Sequence, residues 1–181
     1  MISSNTQKKY LGRFGQSPLV KIHAVLLLFM LQLSITGCSR EPETGAGDVR
    51  WDREICARCK MAVSDHYYSA QVRGGPAGQK TRLYKFDDIG CAVIWLDEQP
   101  WKDGPRTEVW VTDFRDGAWI DAKKAAYVKG KITPMDFGLG AQPAPVETAL
   151  NYEQARTHIY EVEKSSRRHG GRKHQMHSPK Q

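Results

Sequence analysis

The chain lacks any hydrophobic run long enough to cross a membrane as a helix. Its longest apolar stretch, residues 24–33, would form about 15 Å of helix, roughly half the thickness of a hydrocarbon core. Acidic residues are also absent from residues 1–37, where four Lys and Arg residues precede the apolar stretch. A basic start followed by a short apolar run is typical of an export signal and not of a membrane span.

The end of this segment, Ile35-Thr-Gly-Cys38, resembles the lipobox that bacterial lipoprotein processing recognises. Cleavage after Gly37 makes Cys38 the lipidated first residue of the mature chain. An ordinary signal peptide with a chance cysteine at the cut is the alternative. Because two or more acyl chains anchor a protein stably, we expect a domain held on a membrane through Cys38, facing the periplasm or the cell exterior.

Acidic residues are missing again from residues 164–181, which carry a charge of +6. Since the whole chain is +7 and residues 1–37 hold +4, the part between them, residues 38–163, is −3. A nucleic-acid-binding domain needs a basic face on the fold itself. The charge distribution therefore excludes that class, and we expect no nucleic-acid partner.

The C-terminal segment 164–181 has almost no apolar residue to bury, which predicts a disordered, basic, His-rich tail. Four of its side chains could capture a metal ion: His169, His174, Met176 and His177. No spacing among them fixes a geometry, so a solvated basic tail is the favoured interpretation.

Between signal and tail, residues 38–50 are polar and rich in Gly and Pro, which predicts a flexible tether before a folded domain at 51–163. Two β-like runs around a Gly-rich loop predict a hairpin over residues 67–86. Asp87 or Asp88 is placed to cap a helix that ends at Gln99-Pro100. Strands are predicted at 107–113, 119–120, 124–129 and 158–162, a short helix at 147–157 and an ordered loop at 133–143. The pattern predicts an α+β fold, with a small, mostly antiparallel sheet and a helix on one face.

Cysteine is scarce, with four in 181 residues. If Cys38 is acylated, the three that remain, Cys56, Cys59 and Cys91, cannot all pair with one another in an oxidising compartment. An unpaired exported thiol indicates a metal ligand, a reactive group or a buried core residue. Met61 adds a thioether close to two of the thiols, and soft sulfur ligands select copper(I). Copper(I) needs only two or three ligands, so the site need not be complete within this segment.

Each of these side chains also has a simpler interpretation. Met61 alone would more often fill a core, and Cys91 lies in an apolar helix where a small buried cysteine is favoured. Cys56 and Cys59 alone would fit a disulfide or half of a zinc site. His66 is a possible auxiliary ligand or a solvated loop residue.

Two other functions compete with copper binding. A thiol-disulfide oxidoreductase would use Cys56-Ala-Arg-Cys59, but such a motif normally follows a strand and opens a helix, whereas here only the tether and residues 51–55 precede it. A structural zinc module would use four ligands, Cys56, Cys59, Cys91 and His66. Met61 would then have no role.

Four segments in order resemble the NosL family, the nitrous oxide reductase accessory lipoproteins, over residues 38–141. They are Cys56-Ala-Arg-Cys-Lys-Met-Ala-Val63, Phe86-Asp-Asp-Ile-Gly-Cys91, Trp119-Ile-Asp-Ala-Lys123 with Tyr127-Val128, and Pro134-Met135. The resemblance implies small ββαβ-type units and a copper(I)-binding lipoprotein that performs no catalysis. It also implies delivery of copper to the copper-sulfide centre of nitrous oxide reductase, with that apoprotein and copper export or assembly factors as partners.

Carried over to this chain, the resemblance makes Cys59, Met61 and Met135 the first-rank copper ligands. Cys56 and Cys91 follow as second-rank copper or structural residues. The hypothesis that results is a low-coordinate, partly exposed copper(I) site from which a partner's ligands take the ion by stepwise exchange.

Overall fold

The computed structural model describes residues 19, 22, 23 and 43–176, with side chains described as far as residue 168. The chain divides into two units, residues 1–40 and 41–181. Cys38, the predicted lipidation site, lies outside the described residues, as does most of the signal segment. No helix within the described ranges is both long and apolar enough to span a bilayer.

A four-stranded antiparallel sheet forms the centre of the second unit. Its strands lie in the order β2-β1-β3-β4, with bounds β1 (Ala70–Gly74), β2 (Arg82–Phe86), β3 (Glu108–Thr112) and β4 (Trp119–Asp121). The pairing of β1 with β2 confirms the hairpin predicted over residues 67–86. All residues of β1 are buried, because it is flanked by strands on both edges and covered on its faces.

A second, two-stranded sheet pairs β5 (Ala126–Lys129) with β6 (Leu139–Gln142). Phe114 joins the two sheets, because its backbone N–H donates to the Ala141 carbonyl at 2.9 Å. The prediction of a loop over residues 133–143 was therefore wrong for its last part. Residues 139–142 form a strand because they pair with β5. Their sequence contains a glycine, which is unfavourable in strands, and does not by itself predict this pairing.

Helix α1 (Ile89–Asp97) confirms the helix predicted after the hairpin. Asp88 is its N-cap, since the side chain accepts a hydrogen bond from the Gly90 N–H at 2.9 Å. The helix is buried on nearly all sides, as its apolar composition predicts. Gly90 leaves room for the ring of Phe137, which would collide with any Cβ at that position.

Helix α2 (Tyr152–Met176) replaces the last strand predicted at 158–162, which was wrong. Ala155 and Ile159 are buried and Val162 packs against the core, an i, i+4, i+7 spacing that puts all three on one helical face. Asn151 caps the helix, because its side chain accepts from the Gln154 N–H and its own N–H donates to the Gln154 side chain. The helix continues into the predicted tail, of which residues 177–181 lie outside the described residues. Two helices and mostly antiparallel strands confirm the α+β class.

The sequence predicted a flexible tether over residues 38–50, of which residues 43–50 are described, and hydrogen bonds hold this part against the sheet. Gly47 is buried and exchanges two hydrogen bonds of 2.8 Å with the side-chain amide of Gln71 in β1. The Gly45 N–H donates to Glu108 at 2.6 Å. The folded unit therefore extends to the N-terminal side of Trp51, because polar side chains of the sheet bind this segment's backbone.

Candidate metal centre

Residues 56–61 form a tight turn closed by backbone hydrogen bonds. The Cys56 N–H donates to the Met61 carbonyl at 2.8 Å, and the Lys60 N–H donates to the Cys56 carbonyl at 3.2 Å. Lys60 adopts a left-handed backbone with φ of 69°, which reverses the chain. A bridge between Ile55 and Ala62 continues the pairing outward. The turn therefore brings Cys56 and Cys59 close to each other.

The turn is fastened to the end of strand β2. The Ala57 N–H donates to the Lys85 carbonyl at 2.9 Å, and the Lys85 ammonium forms an ion pair with Glu54 at 2.8 Å. Asp87 follows β2 directly, and Cys91 lies in the first turn of α1. The hairpin and the helix thus carry Asp87 and Cys91 to the cysteine turn.

Four side chains meet at this junction. The sulfur atoms of Cys56, Cys59 and Cys91 and a carboxylate oxygen of Asp87 all lie within 4.8 Å of one another. Cys56 and Cys91 are 0% exposed and Asp87 is 1% exposed, whereas Cys59 is partly exposed. The three cysteines are free thiols in the structure. The cluster therefore has a buried side and one solvent-facing sulfur.

The spacing of the cluster fits a bound metal ion. Sulfur ligands about 2.3 Å from an ion lie about 4.6 Å apart when two of them face each other and about 3.8 to 4.0 Å apart when three or four share the ion. The atoms of this cluster, all within 4.8 Å of one another, are therefore close to the spacing of ligands around one centre. Three thiols and one carboxylate form a mainly soft donor set. The side chains present thus fit a thiophilic ion, of which copper(I) and zinc(II) are the candidates.

The surroundings of the three cysteines shift their pKa values in different directions. The hydrogen bond with Cys91 lowers the pKa of Cys56 to about 6, against the opposing effect of burial. That same hydrogen bond raises the pKa of Cys91, and burial adds to the effect. Burial raises the pKa of Cys59 to about 12, and its thiol donates to the Asp87 carboxylate at 3.3 and 3.5 Å. The hydrogen bonds and burial therefore favour the charged form of Cys56 and the protonated forms of Cys59 and Cys91.

Arg58 lies inside the turn and contacts the far side of the cluster. Its guanidinium approaches the Cys91 sulfur at 3.8 Å and forms an ion pair with Glu163 of α2 at 2.8 Å. A fixed cation beside the thiols favours their charged, metal-binding form. Helix α2 thereby supports the centre, although none of its described residues belongs to the cluster.

The two predicted methionine ligands occupy different positions. Met61 ends the turn, and its side chain is 54% exposed. Met135 is half-buried against the core. Its N–H donates to the Asp88 carboxylate at 3.3 Å, and the Thr133 hydroxyl donates to the same oxygen at 2.6 Å. Asp88 therefore binds both the start of α1 and the loop that carries Met135. Asp88 is also the neighbour in sequence of Asp87, a member of the cluster.

The structure brings together three of the predicted site residues, Cys56, Cys59 and Cys91, and adds Asp87. His66 is absent from this group within the part of the chain that the structure describes. Its exposed ring instead stacks on Trp51, with ring centroids 3.9 Å apart.

Sequence reasoning treated Asp87 only as a possible helix cap and so missed it as a cluster member. The signal was the pair Asp87-Asp88: a helix start needs one cap, and Asp88 supplies it. Asp87, four positions before Cys91, was thus left without an assigned partner.

A family model described as NosL matches residues 51–156. This range is more than half of the chain and contains all four cluster residues as well as Met61 and Met135. No curated protein and no solved structure matches the chain.

Proposed function

The chain belongs to the NosL family, and from that premise we propose that it is an exported copper(I) carrier anchored to a membrane through Cys38. The recipient we propose is a copper enzyme, nitrous oxide reductase, whose copper-sulfide centre requires the ion. Copper export or assembly factors supply it. In this role copper is cargo, and the protein makes or breaks no covalent bond in a substrate.

The observation that carries the proposal is the convergence of three free thiols within 4.8 Å of one another and of Asp87. Thiolates bind copper(I) strongly, and two or three of them complete its coordination. Burial of Cys56 and Cys91 keeps water from the ion and fixes the sulfur positions. A solvated surface cysteine pair would offer neither property.

Transfer proceeds from the exposed side of the centre. Cys59 is partly exposed and Met61 is 54% exposed, so a partner's sulfur ligand reaches the ion there. Exchange of one ligand at a time moves copper to the partner without releasing it into water. The backbone of Met135 is held by Asp88, the neighbour in sequence of Asp87, and Met135 is our proposed third ligand during this exchange. The membrane anchor raises the effective concentration of the carrier near membrane-bound partners.

The test is a competition titration of the reduced chain against a chromogenic copper(I) chelator. A Cys38→Ser chain is the reference, because it removes the anchor and keeps all three clustered thiols. We expect one tightly bound copper(I) in the reference and severe weakening in its Cys56→Ser and Cys59→Ser derivatives. Equal affinity in reference and derivatives would reject the proposal.

A structural zinc site is the second candidate, because Asp87 completes a set of four ligands. The Asp87→Asn variant separates the two metals. Loss of a hard carboxylate ligand weakens zinc(II) more than copper(I), which prefers the sulfurs. Tight zinc with weak copper in the parent, and zinc binding required for folding, would favour the zinc function instead.

A thiol-disulfide oxidoreductase fits the geometry less well. Such enzymes need an accessible cysteine with a lowered pKa. Here the thiol with the lowered pKa, Cys56, is 0% exposed, whereas burial and its neighbours raise the pKa of the accessible Cys59 to about 12. Insulin reduction that depends on Cys56, with copper binding retained in its Ser variant, would restore this function.

A further inference from the structure

A cleft lies between two loops of the domain that take no part in the metal centre. One loop, residues 75–80, lies between β1 and β2, and the other, residues 100–107, precedes β3. Together they line a cleft of about 730 Å³. Trp101 lines the cleft and packs so closely on Gly74 that a Cβ there would collide with its ring. Residues 76–80 are all exposed.

The cleft and the metal centre occupy opposite ends of the main sheet. At one end of β1, Ala70 pairs with Phe86, and the metal centre follows directly in sequence. At the other end, Gly74 pairs with Arg82, and loop 75–80 connects the two strands there. A strand rises about 3.4 Å per residue, so β1 separates the two ends by about 14 Å.

The N-terminal segment of the folded unit leads to the cleft end. The Gly45 carbonyl accepts from Arg73 Nε at 2.8 Å, near the end of β1. The Glu43 carbonyl accepts from Thr81 Oγ1 at 3.4 Å. Followed backwards, the chain thus runs along β1 away from the metal centre and reaches the residue next to Lys80 of the cleft.

The described part of the folded unit therefore begins at the cleft end of the sheet. Cys38 precedes Glu43 by five residues, which span at most about 18 Å when fully extended. We propose, on the premise of the proposed function that Cys38 is lipidated, that the loops 75–80 and 100–107 face the bilayer surface. The metal centre then faces away from the membrane, towards the proteins that load and unload it.

The chemistry of the cleft end suits a lipid headgroup region. Tryptophan is favoured at the boundary between water and acyl chains, and Trp101 is only partly buried there. Lys80 and Arg106 are exposed and offer cations to anionic headgroups. Arg106 also donates to the Pro76 carbonyl at 3.2 Å, which ties the two loops into one surface. Asp103 is the acidic side chain of the cleft lining.

Lysine labelling tests the orientation on the lipidated full-length protein. The protein is reconstituted in vesicles of phosphatidylcholine and phosphatidylglycerol and treated briefly with a water-soluble amine reagent. Mass spectrometry then gives the labelling rates of Lys80, at the cleft, and Lys60, in the cysteine turn; both are exposed. A matched variant carries a flexible Gly/Ser insertion of about 20 residues between Arg40 and Glu41, which frees the domain from the surface.

We expect Lys80 to be labelled about threefold or more slowly in the parent than in the long-tether variant, with Lys60 unchanged. Equal rates for Lys80 in the two proteins, or stronger protection of Lys60, would overturn the proposed orientation. Flotation with the vesicles separates this failure from failure of the proposed function. A protein that floats and binds copper without Lys80 protection retains its function and loses the orientation, whereas one that does not float loses both the anchor and the orientation.

Discussion

The two sides of the metal centre differ in burial and therefore in what they contribute. Cys56 and Cys91 are 0% exposed, one held by the turn and the other by α1. Cys59 and Met61 are on the accessible side, and Met61 is 54% exposed. A carrier must hold an ion against competing ligands and still surrender it to the correct partner. For the proposed copper carrier, we expect the buried side to set the affinity and the exposed side to set the transfer rate.

The largest effect is expected from removing a buried thiol. Cys91→Ser takes away a ligand that no mobile side chain replaces inside a packed core, so copper(I) affinity should fall by about 1000-fold. This loss exceeds the roughly 10–100-fold loss that is typical when a residue hydrogen-bonded to a metal ligand is removed. Chelator competition measures the change. A Cys91→Ser variant that retains the parent affinity would show that the buried side is only structural.

The pH dependence of copper affinity should come next in size. With the pKa of Cys56 at about 6, of Cys59 at about 12 and of Cys91 raised, binding between pH 7 and 9 displaces two protons. Affinity should therefore fall as the pH falls, about tenfold for each displaced proton and so about a hundredfold per unit.

The Cys59→Ser variant is the control for this slope, because it removes one displaced proton. Its slope should be about tenfold per unit, measured by chelator competition across the same range. Identical slopes in parent and variant would mean that Cys59 does not bind copper as a thiolate.

The sequence predicted those parts of the protein whose interactions are local. Alternating residues give the hairpin, a cap and an apolar run give α1, and two close cysteines give the turn at 56–61. Helix α2 was read as a strand at 158–162, because alternation over five residues hid the helical spacing of Ala155 and Ile159. Only packing against the core decides between a strand and a helix in this segment.

Contacts between distant segments could not be predicted in the same way. Asp87 lies 28 residues after Cys59 in the sequence. It becomes a cluster member because the cysteine turn is fastened to the end of β2. Residues 43–47 are held against the sheet by side chains distant in sequence, among them Gln71 and Arg73, which are buried polar residues in β1. The polar residues Gln71 and Arg73 within a strand of buried residues were the signal in the sequence that this strand binds another segment.

A smaller change in affinity should follow from altering the exposed side. Met61→Ala should lower copper affinity by no more than about tenfold, because the thiols remain. The rate of copper transfer to a chelator that acts as the acceptor is measured by stopped-flow. This rate should fall by a larger factor than the affinity does. Val146→Ala is the matched control, since it truncates an exposed apolar side chain outside the cluster. Equal effects of the two substitutions would remove Met61 from the exchange route.

The smallest effect is expected at Arg58, which contacts the buried side without being a ligand. Arg58→Gln keeps most of the length of the side chain, adds no sulfur and removes the cation 3.8 Å from the Cys91 sulfur, so the thiolates lose a stabilising charge and copper affinity should fall by about threefold. Glu163→Gln breaks the same ion pair with α2 but leaves the cation in place. If charge at the cluster is what matters, Glu163→Gln keeps near-parental affinity. A matching loss in both variants would instead mean that Arg58 acts by joining the turn to α2.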